Sequence, residues 1–336
     1  MSPQSRTSRA ALVVTVLNER ASIDRLLASI EAQTRAPDEL IVVDGGSHDG
    51  TIARLEAWQR RLPLRLLVEA GASIAQGRNL GIAASSCPLI AVTDAGVRLE
   101  PRWLERLLDH LTDDVDVVAG FFVADPQSVF ETALGATTLP DLDDVQADRF
   151  LPSSRSILFR RAAWQGAGGY PAWLDYCEDL VFDLSLKDRQ ARFVFAPDAR
   201  VLFRPRHSPL AFMRQYFLYA RGDGKANLWR MRHAIRYTTY ATALLLVATS
   251  WRRRAGWLLA PLVLGALVYT RTPYRRLARR LVGVSPVDAV SAVLLVPVLR
   301  LAGDIAKMLG YPVGVAWRLR RGKLAPAPLP LAAGAR

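Results

Sequence analysis

Between residues 11 and 119 the chain repeats one rhythm, and that rhythm fixes what it can fold into. Short apolar runs (Ala11 to Leu17, Leu40 to Val43, Leu64 to Glu69, Leu89 to Thr93, Val115 to Ala119) have the length and β-branched content of strands. Helical stretches separate them. Ser22 is an expected N-cap ahead of the stripe Ile23, Leu26, Leu27 and Ile30; Ile52 to Arg61 and Arg78 to about Ser85 follow, and Pro101 precedes Trp103, Leu104, Leu107 and Leu108. Strands alternating with helices at this spacing predict an α/β fold, a Rossmann-like, mostly parallel central sheet with helices on both faces. Ligands of such sheets sit at the carboxyl ends of the strands, which is where Glu19, Asp44 and Asp94 fall.

The rhythm weakens after Phe121, and Asp141, Asp143, Asp144 and Asp148 read as an acidic, solvated loop. Pro152 to Phe159 reads as a strand, Gly168-Gly169-Tyr170-Pro171 as a sharp turn, and Glu178-Asp179 as the opening of an amphipathic helix. Arg192 to Phe195 and Arg200 to Phe203 are two expected short strands, and Ser208 an expected cap for a helix from Pro209 to about Arg221.

Beyond Arg230 the chain changes character. Residues 1–203 hold 21 basic and 28 acidic groups, whereas 204–336 hold 23 basic and 3 acidic. Arginine clusters flank the apolar runs Tyr237 to Trp251, Ala255 to Thr270 and Val287 to Leu299, an interleaving suited to an anionic membrane surface and not to nucleic acid. The first two runs fall short of the ~20 residues that span a bilayer upright, which leaves spanning and interfacial arrangements open. Arg300, Asp304 and Lys307 make Asp288 to Tyr311 an expected amphipathic helix on the membrane. The expected organisation is a disordered 1–9, an α/β domain over 10–230 (a nucleotide half 10–120, an acceptor half 121–230), basic apolar helices over 231–323 and a Pro-rich disordered tail 324–336. No signal peptide is evident, so the α/β domain is expected in the cytosol at the inner membrane surface. Cys87 and Cys177 provide neither a disulfide framework nor a metal cluster, and the four histidines lack ligand spacing.

Leu12 to Glu19, Ile41-Val-Val-Asp44-Gly-Gly-Ser47-His-Asp49-Gly-Thr51, Gly77-Arg78-Asn79-Leu-Gly-Ile-Ala-Ala84 and Ile90-Ala-Val-Thr-Asp94-Ala-Gly96 stand in the order and spacing of glycosyltransferase family 2. The chain resembles that family over roughly residues 10–230. The resemblance implies a GT-A fold and an inverting enzyme using a nucleoside-diphosphate sugar. It places Glu19 and Asp44 near the nucleoside, Arg78 and Asn79 along the donor site, Asn18 and Gly45 among the donor-binding residues, and Asp94 at the first carboxylate of the DxD motif. The second motif carboxylate is Gly96 here, so a Mg²⁺ or Mn²⁺ ion would be held by Asp94, phosphate oxygens and water.

Glu178-Asp179 resembles the family's acidic pair on the acceptor side. Displacement at an anomeric carbon needs the attacking hydroxyl to lose a proton, a task for one positioned carboxylate; Asp179 is the expected base and Glu178 its support. Arg204, Arg206, Arg214 and Arg221 are candidate clamps for the diphosphate or acceptor, since guanidinium matches phosphate geometry. The expected function is sugar transfer to a lipid-linked or membrane-proximal acceptor. A sugar-phosphate nucleotidyltransferase is the first alternative, although Asn18-Glu19-Arg20 is no phosphate loop, and a non-catalytic nucleotide-binding membrane adaptor is the second.

Overall fold

The computed structural model describes residues 9–321. The expectations of disorder at 1–9 and 324–336 therefore fall, Arg9 apart, outside the described residues. The elements in chain order are β1 (Ala10–Val16), α1 (Ile23–Glu31), β2 (Glu39–Asp44), α2 (Thr51–Trp58), β3 (Leu64–Val68), α3 (Ile74–Ala84), β4 (Leu89–Asp94), β5 (Val97–Leu99), α4 (Trp103–Asp109), β6 (Val117–Ala124), α5 (Val129–Thr138), β7 (Ile157–Arg160), α6 (Arg161–Ala167), α7 (Glu178–Asp188), β8 (Phe193–Phe203), α8 (Pro209–Ala226), α9 (Arg230–Arg253), α10 (Ala260–Arg280) and α11 (Pro286–Arg321). The described residues form two compact units: 9–125 with 142–204, and 126–141 with 205–321. The division between these units falls at Arg204, and α5 goes with the second unit.

The first unit is one eight-stranded sheet in the order β3-β2-β1-β4-β7-β6-β8-β5. Strands β1 to β4 are mutually parallel, and β6 and β8 run with them; only β7 and β5 run against the rest. Because successive side chains point to opposite faces, each strand feeds two cores. Leu12, Val14, Leu40, Val42, Leu89 and Ala91 pack with α1, α2 and α4, whereas Ala11, Val13, Ile90 and Val92 pack with Ala75 and Ile82 of α3 and Phe182 and Leu186 of α7. A sheet covered on both faces explains why its strands read as unbroken apolar runs.

The two short strands expected at 192–203 are one strand, β8. Its pairing with β6 jumps from Gly120↔Ala196 to Phe121↔Arg200, so Pro197, Asp198 and Ala199 bulge out. Pro197 has no N–H for a ladder, which is why the sequence reads as two strands. The strand expected from Pro152 begins only at Ile157. The segment 152–156 is a loop, tied to β4 by the Thr93 hydroxyl donating to the Arg155 carbonyl at 2.7 Å.

The second unit is helical. Its α5 lies ahead of the acidic segment 141–148, in a region where the sequence rhythm weakens; Ser128 caps it by accepting from the Glu131 N–H. Helices α8 and α11 pack backbone to backbone: a Cβ on Gly224 would stand 2.4 Å from the Tyr311 carbonyl, and one on Gly314 would stand 2.0 Å from that of Arg221. The Gly310-x-x-x-Gly314 spacing permits that approach, as in membrane helix pairs. Helix α11 is one continuous helix of 36 residues, longer than the expected 288–311, and holds a stretch long and apolar enough to cross a membrane by length and composition. Large apolar side chains face outward on all three late helices, among them Leu244 (72%), Trp251 (85%), Val268 (68%) and Leu294 (65% exposed).

Candidate active site

The carboxyl ends of β1, β2 and β4 form one rim. The loops after β1 and β2 are stitched together: the Asn18 N–H donates to the Ser47 hydroxyl (2.8 Å), the His48 N–H to the Asn18 side-chain oxygen (2.9 Å) and the Glu19 N–H to the Thr51 hydroxyl (2.9 Å). Asn18 adopts the left-handed conformation (φ 55°) to make that turn. Asn18 is exposed, and Glu19, Gly45 and Asp94 are half-buried, so these four of the expected donor-site residues stay reachable.

Three others have different tasks. Asp44 is fully buried, and its oxygens accept from the N–H groups of Gly46 (2.8 Å) and Ser47 (2.7 Å) and from the Ser47 hydroxyl (2.7 Å). It builds the loop, as a turn aspartate does. Asn79 is likewise engaged: its amide donates to the Tyr170 carbonyl (2.7 Å) and accepts from the N–H groups of Tyr170 (2.8 Å) and Trp164 Nε1 (3.1 Å). It pins the Gly168-Gly169-Tyr170 turn, where Gly169 has φ +77° and a Cβ would stand 2.9 Å from Asn79 Oδ1. Only glycine fits there.

Arg78 is the third of these and the centre of the site. It is 1% exposed, so it cannot line an open donor pocket. Its Nη2 donates to Asp94 Oδ1 at 2.7 Å and its Nη1 to Glu178 Oε1 at 2.6 Å. Burial opposes the guanidinium charge, but Asp94 and Glu178 outweigh it and raise the Arg78 pKa. A second route runs through residues that the sequence reading left unassigned. Arg155 Nε lies 3.6 Å from Asp94 Oδ2, Arg155 Nη1 donates to the Ser153 hydroxyl at 3.0 Å, and that hydroxyl reaches Asp179 Oδ2 at 3.5 Å. The Arg155 guanidinium rests on the Phe203 ring, 4.3 Å from its centroid. Asp94, Arg78, Glu178, Asp179, Ser153 and Arg155 thus close a ring.

The chain enters α7 through Cys177 in the left-handed region (φ 65°), a conformation uncommon for a side chain with a Cβ and one that accumulates at functional sites. Glu178 is 6% exposed; burial raises its pKa above the ordinary glutamate value, Arg78 opposes the rise, and Asp179 adds to it. Of the expected clamps, Arg204 is exposed at the end of β8, and Arg206, Arg214 and Arg221 belong to the second unit. The guanidinium groups that meet Asp94 are those of Arg78 and Arg155.

One turn along α7, Asp183 is 1% exposed and its Oδ2 has no hydrogen-bond partner. Burial holds its carboxyl well above the usual range, and Asp179 pushes it further. Raising an aspartate pKa on folding means that the unfolded chain ionises first. The penalty is absent below the unfolded value near ~4 and grows as pH rises above it. Asp183→Asn is therefore expected to unfold at a higher temperature than wild type at neutral pH and to match it in acid. Equal melting temperatures at neutral pH would show that Asp183 carries no such penalty.

Gly96 faces open space, since a Cβ there would meet nothing within 4 Å. Among the described residues no three His, Cys, Asp or Glu side chains gather as a metal cage. One carboxylate beside open space suits a cation carried in by a diphosphate, whose oxygens and water complete the coordination, and does not suit an ion held by protein alone.

Residues 11–165 match the sequence family described as glycosyl transferase family 2. Over 102 residues the chain is 32% identical to validoxylamine A glucosyltransferase of Streptomyces hygroscopicus subsp. limoneus, a match covering 29% of this chain and 22% of that protein. Over 116 residues it is 34% identical to glycosyltransferase AglE of Haloferax volcanii, covering 33% of this chain and 38% of the relative. The matches span less than two fifths of the length of either relative. A mannosyltransferase from Pyrobaculum calidifontis, solved in complex with GDP-Man and Mn²⁺, aligns over 93% of this chain and 87% of its own with a TM-score of 0.53 and 19% identity. At that identity the likeness is one of fold.

Proposed function

Residues 11–165 belong to glycosyl transferase family 2, and on that premise we propose that the protein moves a sugar, with inversion, from a nucleoside-diphosphate sugar to a membrane-proximal or lipid-linked hydroxyl. The observation that carries this reading is the ring linking Asp94 on β4 to Glu178 and Asp179 on α7 through Arg78, Ser153 and Arg155. A donor's diphosphate beside Asp94 would put the anomeric carbon toward the start of α7. The bond from that carbon to the phosphate oxygen breaks as the acceptor oxygen bonds to its opposite face.

Asp179 takes the proton of the attacking hydroxyl. Arg78 holds Glu178 and Asp94 at a fixed spacing, which is positioning and not contact with substrate. Arg155, only partly buried, faces the charge that grows on the leaving diphosphate. When bound, a divalent cation would neutralise phosphate charge, with Asp94 as its protein ligand. The outward apolar faces and arginine-rich ends of α9 to α11 support a membrane-associated protein with the sheet unit on the cytosolic side.

The test is a thermal-shift panel of nucleoside-diphosphate sugars with and without Mn²⁺. One or more should stabilise the protein by about 2–3 kcal/mol at a concentration roughly a hundredfold above Kd. Mn²⁺ should add to that shift and do nothing alone. No shift with any nucleotide sugar overturns the donor reading, and a shift from Mn²⁺ alone overturns the single-carboxylate account of the cation.

A further inference from the structure

The second unit contains a buried polar cluster that the transfer reaction does not use. At its centre Asp304 of α11, 4% exposed, accepts from Arg236 Nε (2.8 Å), the Tyr240 hydroxyl (3.1 Å) and the Tyr269 hydroxyl (2.6 Å). Beside it His233, 3% exposed and stacked on Tyr311, accepts from Arg236 Nη1 at Nδ1 (3.2 Å). That bond puts its proton on Nε2, which donates to Asp223 Oδ2 at 3.1 Å. Arg236, His233 and the two tyrosine hydroxyls thus engage the cluster's two carboxylates.

Arg300 and Lys307 make no ion pair with an acid among the described residues, although the Asp304 charge acts on Lys307. Four residues before Asp304 and three after it, they share its face of α11. The Arg300 guanidinium lies 4.5 Å from the centroid of the Tyr269 ring and its Nε is buried with no hydrogen-bond partner; Lys307 Nζ lies 4.7 Å from the centroid of the Tyr216 ring. Among the described residues neither side chain donates to a carboxylate, carbonyl or hydroxyl. Aromatic faces attract both cations but accept none of their directional N–H bonds, and a half-buried cation without an acceptor is costly. The seven-residue spacing is about 10 Å along the helix, within the joint reach of an arginine and a lysine converging on one anion. Further round the same helix from Arg300, Leu301 (48%) turns apolar surface outward, followed by Val298 (59%) and Leu309 (60%) on the far side.

We infer that Arg300 and Lys307 form a binding site for the phosphate group of a lipid, with the acyl or prenyl chain along the exposed side of α11. Phosphate supplies the missing acceptors, and guanidinium matches its geometry. The inference rests on the membrane reading of these helices given above, but not on any assignment of donor or base.

The experiment is flotation of the full-length protein with vesicles of phosphatidylcholine alone, with added phosphatidic acid, or with added phosphatidylglycerol at equal surface charge. Wild type should bind the phosphatidic acid vesicles most tightly. Arg300→Gln with Lys307→Gln should remove that preference, roughly tenfold or more in affinity, while leaving phosphatidylcholine binding unchanged. The charge-keeping pair Arg300→Lys with Lys307→Arg should retain most of it.

Equal wild-type flotation with all three vesicles overturns the phosphate site and leaves membrane association standing. Flotation with none overturns the membrane reading and the lipid source with it. If the Gln pair fails to fold, wild type in detergent decides: phosphatidic acid must raise its melting temperature above that in phosphatidylcholine, and no rise overturns the site. An equal rise with inorganic phosphate assigns the anion to solution and overturns the lipid.

Discussion

Arg78→Met should cost the protein about 3–5 kcal/mol of stability at neutral pH, the largest effect expected from any single substitution in the sheet unit. Methionine keeps most of the side-chain volume, so the loss would come from charge. Glu178 is 6% exposed and the Asp94 side chain 24% exposed; with Arg78 gone, the first would sit buried without its cation and the second would keep only Arg155 at 3.6 Å. Burial already raises the Glu178 pKa against the opposition of Arg78, so removing the arginine must raise it further. The deficit is therefore present when both carboxylates would be ionised and shrinks as acid protonates them. Urea unfolding of wild type, Arg78→Met and the double variant Arg78→Met/Glu178→Gln checks this. The double variant should recover part of the loss, because an uncharged partner no longer needs compensation. A stability for Arg78→Met within 1 kcal/mol of wild type would falsify the account of Arg78 as the strut of the site.

The fold was legible in the sequence where a local pattern coincides with a tertiary demand. Strands covered on both faces must be apolar throughout, so β1, β2 and β4 announced themselves, and the carboxylates at their ends marked the rim. The central sheet, its helices on both faces and its likeness to known glycosyltransferase folds follow from that. What escaped depends on contacts distant in sequence. Arg155 meets Asp94 across 61 positions and Arg78 meets Glu178 across 100, and no local spacing encodes either. The loop-holding bonds of Asp44 and Asn79 escaped for a related reason: a polar residue in a motif is equally suited to hold a ligand or to hold a loop, and local spacing does not show its partners. In the helical unit the apolar runs were visible. The Gly310-x-x-x-Gly314 contact with α8 was missed because that spacing reports a close approach only when a partner helix is known.

Asp179→Asn should lower the rate of sugar transfer by about 10²–10⁴-fold while leaving nucleotide-sugar binding and stability close to wild type. Asparagine keeps the shape; its Oδ1 can still accept from the Leu180 N–H (2.8 Å), and its amide N–H, in place of Asp179 Oδ2, can donate to the Ser153 hydroxyl (3.5 Å in wild type), so the frame of α7 should persist. Removing the carboxylate also lifts a raising influence on both Glu178 and Asp183, which should ease the burial of each. The variant should therefore be no less stable than wild type, and lost activity could not be put down to unfolding. Radiolabelled transfer from nucleotide sugar to a membrane lipid extract measures the rate, and a thermal shift with the same donor measures binding. A base acts on the attacking hydroxyl alone, so the loss belongs in kcat with the donor's apparent affinity unchanged. Ser153→Ala serves as the companion measurement: Ser153 touches Asp179 and Arg155 but bears no exchangeable role in proton removal, so its loss should cost about tenfold or less. Undiminished transfer by Asp179→Asn assigns the proton to another acceptor, and Glu178, held by Arg78, would be the next carboxylate to replace.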